Sequence, residues 1–270
     1  MADSDGFSVW ADWDGLNTPA RVGAVILSRQ RRGRISGFSF DDSWLERQDF
    51  RMLDPEIQPF RGAQFPRSGR SIFGFLTDSA PDRWGRRLMQ RREALQAKTE
   101  GRQPRPLDDY DYLLGVHDRA RVGGLRFRRD GDEPFLAPDD PWATPPWTRL
   151  RELQAAAGRM DNSVPGEDDS AWLEVILAPG SSLGGARPKA TVQDSSGALW
   201  IAKFPSRNDV VDVGLWEYLI HQLAEEAGIT LSSAQIEKLS ETGTTFLVKR
   251  FDRTPVTWPN SGHEWCFMLP

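Results

Sequence analysis

Sulfur and imidazole are scarce in this chain: one cysteine, Cys266, and three histidines, His117, His221 and His263. A lone cysteine excludes an intramolecular disulfide and fits a reducing compartment, and the scattered histidines have no metal-ligand spacing. No apolar stretch approaches the ~20 residues that a transmembrane helix needs. The first residues, MADSDGFSVW, lack the basic-then-apolar layout of a signal peptide. Internal repeats are absent. Positive charge is not in excess either, since the formal net charge is −5, and nothing global marks a nucleic-acid binder. These absences point to a soluble cytoplasmic protein without a membrane partner. What is present is a composition of 39% hydrophobic and 27% charged residues over 270 positions. That is enough for a real core, in one large domain or two ordinary ones.

The first half alternates strand and helix signals. Residues 7–13 (FSVWADW) and 22–27 (VGAVIL) read as a hairpin-like pair, and RISGFSFD as a third strand. PDRWGRRLMQRREALQ then turns helical, with Pro81 suited to the first turn and Trp84, Leu88 and Leu95 on one side. It carries a basic cluster of Arg83, Arg86, Arg87, Arg91 and Arg92. PLDDYDYLLGV predicts a short helix and VGGLRFRRD a strand. Residues 130–147 hold five prolines (Pro134, Pro138, Pro141, Pro145, Pro146) with several aspartates, and read as a linker. The expected division is 1–129, a linker over 130–147, and 148–270.

The second half opens with a helix at TRLRELQAAAGRM. After the loop PGSSLGGARPKATV come two strands joined by a turn at Asp194-Ser195-Ser196-Gly197, in KATVQDSSGALWIAKFPS. The helix DVGLWEYLIHQLAEEAGI places Leu215, Trp216, Leu219, Ile220, Leu223 and Ala227 at helical spacing, and Gly228 suits its C-cap. AQIEKLS and TTFLVKRFD are two further strands around Gly243. Glycine loop, strand, strand with a lysine, helix with a glutamate, strand, strand is the order of parts in the nucleotide-binding lobe of protein kinases. Lys203, amid apolar neighbours, needs an anionic partner, and Glu217 follows fourteen residues later. Bland readings stand beside this one. A strand lysine usually snorkels to solvent, a helix glutamate usually sits on a solvated face, and a Gly-Gly loop is usually a turn. The loop matches neither GxGxxG nor GxxxxGK[ST].

SSLGGARPKATV, IAKFPS and LVKRFDR together resemble the HipA-type serine/threonine kinases, the toxin half of bacterial toxin–antitoxin pairs. VGAVILS, FGFLTDSAPDRWGRRLMQRRE and DYLLGVHDRARVGGLRF resemble that family's N-terminal subdomain, so the likeness runs from about residue 7 to 253. It implies an α+β chain: a β-rich N-terminal subdomain, then a kinase-like N-lobe of antiparallel sheet plus helix. It also implies ATP and Mg²⁺ as cofactors. Residues 182–189, with Ser182, Gly184, Gly185 and Lys189, would form the phosphate-side loop, and Ser182 aligns with the serine that family members autophosphorylate. Lys203 would contact the phosphates, Glu217 would orient Lys203, and 248–251, with Lys249 and Phe251, would be the hinge lying along the adenine, its backbone offering hydrogen bonds. Implied partners are a helix-turn-helix antitoxin, operator DNA through that complex, and a protein substrate among translation components such as an aminoacyl-tRNA synthetase.

One departure bears on activity. The family's base and metal-binding carboxylates lie in a large helical C-lobe, whereas nineteen residues follow Phe251 and the last aspartate is Asp252. A helical lobe of ~100 residues does not fit in that remainder. The expectation is therefore a kinase fragment cut off before its catalytic C-lobe, with no catalytic aspartate or metal ligand of its own. The alternative is a non-catalytic module binding an antitoxin or DNA complex, which the basic helix favours. A weaker third reading is a pseudogene product with exposed apolar surface around Trp216 and Leu219.

Overall fold

The computed structural model describes residues 5–30, 33–129, 134–136, 144–162, 173, 175–176 and 185–253. The first sheet joins β1 (Asp5–Ala11), β2 (Ala20–Gln30), β3 (Gly33–Phe40) and β4 (Leu125–Arg129) in the order β3-β2-β1-β4, all antiparallel. Alternation along the strands sends Phe7, Val9, Val25, Leu27, Phe38, Phe40 and Phe127 to one buried face. The face is built from edge-on aromatic pairs, with ring centroids 5.6 Å apart for Phe7–Phe127 and 5.3 Å for Phe38–Phe75. Two short helices, α1 (Asp42–Leu45) and α2 (Gly74–Thr77), supply Trp44, Phe75 and Leu76 to this core.

Helix α3 (Arg83–Thr99) follows, then α4 (Asp109–Leu114), which opens with a reciprocal capping box between Asp108 and Asp111. Pro81 lies outside α3. The cap is Asp82, whose carboxylate accepts from the Arg83 amide at 2.7 Å.

The second sheet is also antiparallel: β5 (Lys189–Gln193), β6 (Leu199–Lys203), β7 (Ala234–Ser240) and β8 (Gly243–Lys249), in the order β5-β6-β8-β7. Ala190, Val192, Trp200, Ala202 and Leu247 form one face and pack on α5 (Leu150–Asn162) through Leu150, Leu153 and Ala157. Trp84 and Leu88 of α3 belong to this same core, so a helix from the first half of the chain closes the sheet of the second. On the other side α6 (Val213–Glu226) approaches β8 so closely that a Cβ on Gly214 would sit 2.0 Å from the Thr244 carbonyl oxygen. That contact, and not backbone conformation, requires glycine there.

The turn after β8 also ties the two sheets together. Arg250 donates to the carbonyls of Ala120 and Arg121, at 3.0 and 2.8 Å, and to the Asp252 carboxylate. Asp252 in turn accepts from the Gly123 amide at 3.2 Å. No helix among the described residues is long and apolar enough to cross a membrane.

Candidate functional site

Ser182 and Gly184 lie outside the described residues. From Gly185 onward the phosphate-side segment is in view. Gly185 is left-handed at φ 79°, and a Cβ there would lie 2.8 Å from the Lys189 ammonium nitrogen. The glycine thus leaves a small recess directly over a cation. It is held at both ends by α3, because its amide donates to the Asp82 carboxylate (2.8 Å) and its carbonyl accepts from the Trp84 amide (2.9 Å). The Trp84 indole N–H donates in addition to the Lys189 carbonyl, at 2.9 Å. The Gly185 and Arg83 amides together hold the Asp82 carboxyl below its ordinary range.

Lys189 and Lys203 stand opposite each other across β5 and β6. Glu217 of α6 forms an ion pair with Lys203, whose ammonium lies 5.3 Å from the Phe246 ring centroid. The bland readings of Lys203 and Glu217 as independently solvated side chains therefore fail, because both are only partly exposed and bonded to each other. Burial, with the charge of Lys203 beside it, pushes the Lys189 ammonium down to about 8. The cluster brings two ammonium groups to one side of the sheet, with Glu217 on Lys203 and Asp82 close enough to act on Lys189. Chemically it is suited to a phosphate group.

The remaining predicted positions fall elsewhere. Lys249 pairs with Trp200, so by alternation its side chain is on the core face of the sheet, opposite Lys203. Its amide donates to the Ser233 carbonyl and that of Arg250 to the Leu199 carbonyl, both within 2.9 Å, so neither is spare for a ligand. Phe251 is 69% exposed beside them. Arg187, the other cation of the loop, is engaged by Asp209 through two bonds of 2.8 and 2.5 Å. Asp252 is buried. Burial alone would raise its carboxyl, but Arg250, Arg253 and the Gly123 amide outweigh that and hold it well below the usual range. Such a group is a structural counter-ion.

The sequence reading overlooked Asp82 and Trp84 as parts of this site. An Asp directly before an amphipathic helix is a recognisable cap, but nothing local says that its second oxygen reaches residue 185.

Comparison with known proteins falls in the same region. Residues 181–267 match the family model of the HipA-like C-terminal domain, which is less than half of the chain. No curated protein matches. Among solved structures the chain is similar to the Shewanella oneidensis MR-1 HipA of a HipA, HipB and operator DNA complex, at 15% identity and a TM-score of 0.48. The likeness covers 91% of this chain and 51% of the other, so the chain spans about half the length of the solved protein it matches.

The residues fit one implied cofactor better than the other. The recess at Gly185 with Lys189 and Lys203 suits the phosphates of a nucleotide. Among the described residues no group of three or more His, Cys, Asp or Glu is placed to hold a metal, and Glu217 is taken by Lys203. Residues placed to bind Mg²⁺ are not found among them.

Proposed function

We propose that this chain carries the nucleotide-binding part of a HipA-like serine/threonine protein kinase, with ATP held by the second sheet. The observation that carries the reading is the Lys203–Glu217 ion pair set opposite Lys189 beneath a left-handed glycine. A strand lysine tethered to a helix glutamate and aimed at a phosphate is the arrangement protein kinases use. The family-model match over 181–267 supports it independently. In this reading Gly185 gives the phosphates close access to the backbone, Lys189 and Lys203 supply positive charge, and Glu217 orients Lys203. The Phe251 edge borders the adenine. Ser182 would be the residue modified by autophosphorylation. The general base and the Mg²⁺ ligands are assigned to none of the described residues.

A cytoplasmic toxin–antitoxin setting follows from the same reading, with a helix-turn-helix antitoxin as partner and a translation component as substrate. DNA would be contacted through that partner. The basic helix α3 is poorly placed to do so alone, since Arg86 pairs with Asp109 at 3.0 Å and Arg87 with Asp161 at 3.6 Å. This also weakens the alternative of a non-catalytic DNA-complex module.

Calorimetric titration tests the reading. ATP should bind more tightly than adenosine, and Lys203→Ala should cost about tenfold in ATP affinity, in line with loss of one charge-assisted bond. Adenosine affinity should be unchanged. Near pH 8 Lys189 is about half protonated, and a phosphate beside it favours the charged form. ATP binding should then take up protons, seen as a dependence of the measured heat on buffer ionisation enthalpy, and Lys189→Met should abolish the dependence. Equal ATP affinities in wild type and Lys203→Ala would defeat the proposal.

A further inference from the structure

A second cationic site lies on the first sheet. A cavity of about 400 Å³, partly open to solvent, lies between α3, α4 and the ends of the strands, within the size range of small-molecule sites. Its charged lining is Arg34, Arg92, Arg105 and Arg129 against Glu93 and Asp111. Both carboxylates are already used. Glu93 accepts from Arg102 and from the Arg105 amide at 3.0 Å. Asp111 accepts from Arg34 at 2.5 Å and from Arg105 at 2.6 Å.

Arg92 is different. It is half-buried, yet it makes no hydrogen bond or ion pair with any described residue, and burial lowers its pKa. Glu93 is near enough to attract it but is bonded to Arg102 and to the Arg105 amide, which leaves the Arg92 donors for a ligand. Gly115 shows that the space is kept for it. Gly115 caps α4 with an ordinary φ of −80°, so the backbone does not demand glycine. A Cβ there would lie 2.9 Å from the Asp111 carbonyl and 3.2 Å from an Arg92 nitrogen. Arg129, exposed at the end of β4, likewise has no acidic partner among the described residues.

We propose that this cavity binds a small phosphate-bearing molecule, with Arg92 as its bidentate anchor and Arg129 as the second cation. The four lining arginines outnumber the two lining carboxylates by two, which matches the charge of a phosphate dianion, and the planar guanidinium fork suits its oxygens. The proposal is independent of the nucleotide reading, because the Lys203 cluster belongs to the other sheet.

Calorimetry and thermal melting with inorganic phosphate, pyrophosphate and ribose 5-phosphate test it. Saturable binding is expected in wild type and in Lys203→Ala alike. Arg92→Gln should lose about tenfold or more in affinity while its unliganded melting temperature stays level or rises. Arg129→Gln, at an exposed position, should fold normally and weaken binding about threefold to tenfold. Tighter ribose 5-phosphate binding would identify a phosphomonoester ligand, and tighter phosphate or pyrophosphate binding a free phosphate. Binding that survives both arginine substitutions, binding lost in Lys203→Ala, or no saturable binding to any probe would overturn the proposal. So would an Arg92→Gln protein that is destabilised together with an Arg129→Gln protein that binds normally.

Discussion

Helices α3 and α6 have exchanged the roles that their compositions suggest. α3 carries five arginines, yet it buries Trp84, Leu88, Met89 and Ala97 and is wedged between the second sheet and α4. Two of its charges are paired: Arg86 stacks 4.5 Å over the Tyr112 ring and reaches Asp109, and Arg87 reaches Asp161. α6 is the more apolar helix, yet Gly214 is its only fully buried residue. Trp216 and Ile220 are 55% and 61% exposed, with Leu215, Leu219 and Leu223 on the same surface. Composition tells which residues gain from burial. Which face is covered depends on which elements the topology brings near, and α3 has the second sheet on one side and α4 on another.

The largest effect should come from breaking α3. Trp84 is fully buried, fills the core of the second sheet and donates to the Lys189 carbonyl. Trp84→Ala should destabilise the protein by about 3–5 kcal/mol, the usual range for deleting a buried aromatic. Urea unfolding measures this. A loss below about 1 kcal/mol would mean that α3 is not the wedge described.

The next test concerns the seam of α6. An alanine on Gly214 would place its Cβ 2.0 Å from a backbone oxygen that cannot swing away. Gly214→Ala should cost about 1–3 kcal/mol by overpacking and weaken ATP binding as Glu217 is displaced from Lys203. Gly158, inside α5, has nothing within 4 Å of the same added atom. Gly158→Ala should therefore stabilise by roughly 0.5–1 kcal/mol through helix propensity. Opposite signs for the same change would locate the effect in the approach to β8. Equal signs would dismiss it.

A smaller, pH-dependent effect belongs to the junction. The Asp252 carboxyl is lower in the folded protein than in the unfolded chain, so its contribution is complete above the ordinary aspartate value of ~3.9. It is lost as pH falls below that toward the folded value. Wild type should lose stability more steeply than Asp252→Asn between about pH 4 and 2. Parallel curves would show that Asp252 is not held as described.

Much of the fold was readable from pattern. Among the described residues all eight strands and the four longer helices coincide with periodic runs, because alternation and 3.6-residue spacing are properties of local segments. The short helices α1 and α2 were missed, each being a single turn fixed by the core residues Trp44, Phe75 and Leu76. In the site, Lys203 and Glu217 were legible from their order and surroundings. The opposition of Lys189 to Lys203 depends on strand register, and the Asp82–Gly185 bond joins residues about a hundred positions apart. The side of the sheet on which Lys249 falls is likewise a matter of register, and so is the use of the Lys249 and Arg250 amides, expected to face a ligand, by Ser233 and Leu199.

The smallest effect on stability should come from the outer face of α6, and it is the sharpest test of the contrast between the helices. Exposed side chains that touch little contribute little, and surface substitutions usually fall within ±0.5 kcal/mol. Replacing Trp216, Leu219 and Ile220 with Gln, together, should leave the urea midpoint nearly unchanged, since glutamine keeps good helix propensity and no buried contact is lost. The change should appear in solution behaviour. A cluster of large apolar side chains in water drives self-association, so sedimentation of wild type should depend on concentration and that of the triple variant should not. The same substitutions avoid the inner residues Glu217 and His221, so ATP affinity should be retained. A loss above about 2 kcal/mol in the triple variant would mean that this face is covered in solution, and the two helices would then be alike.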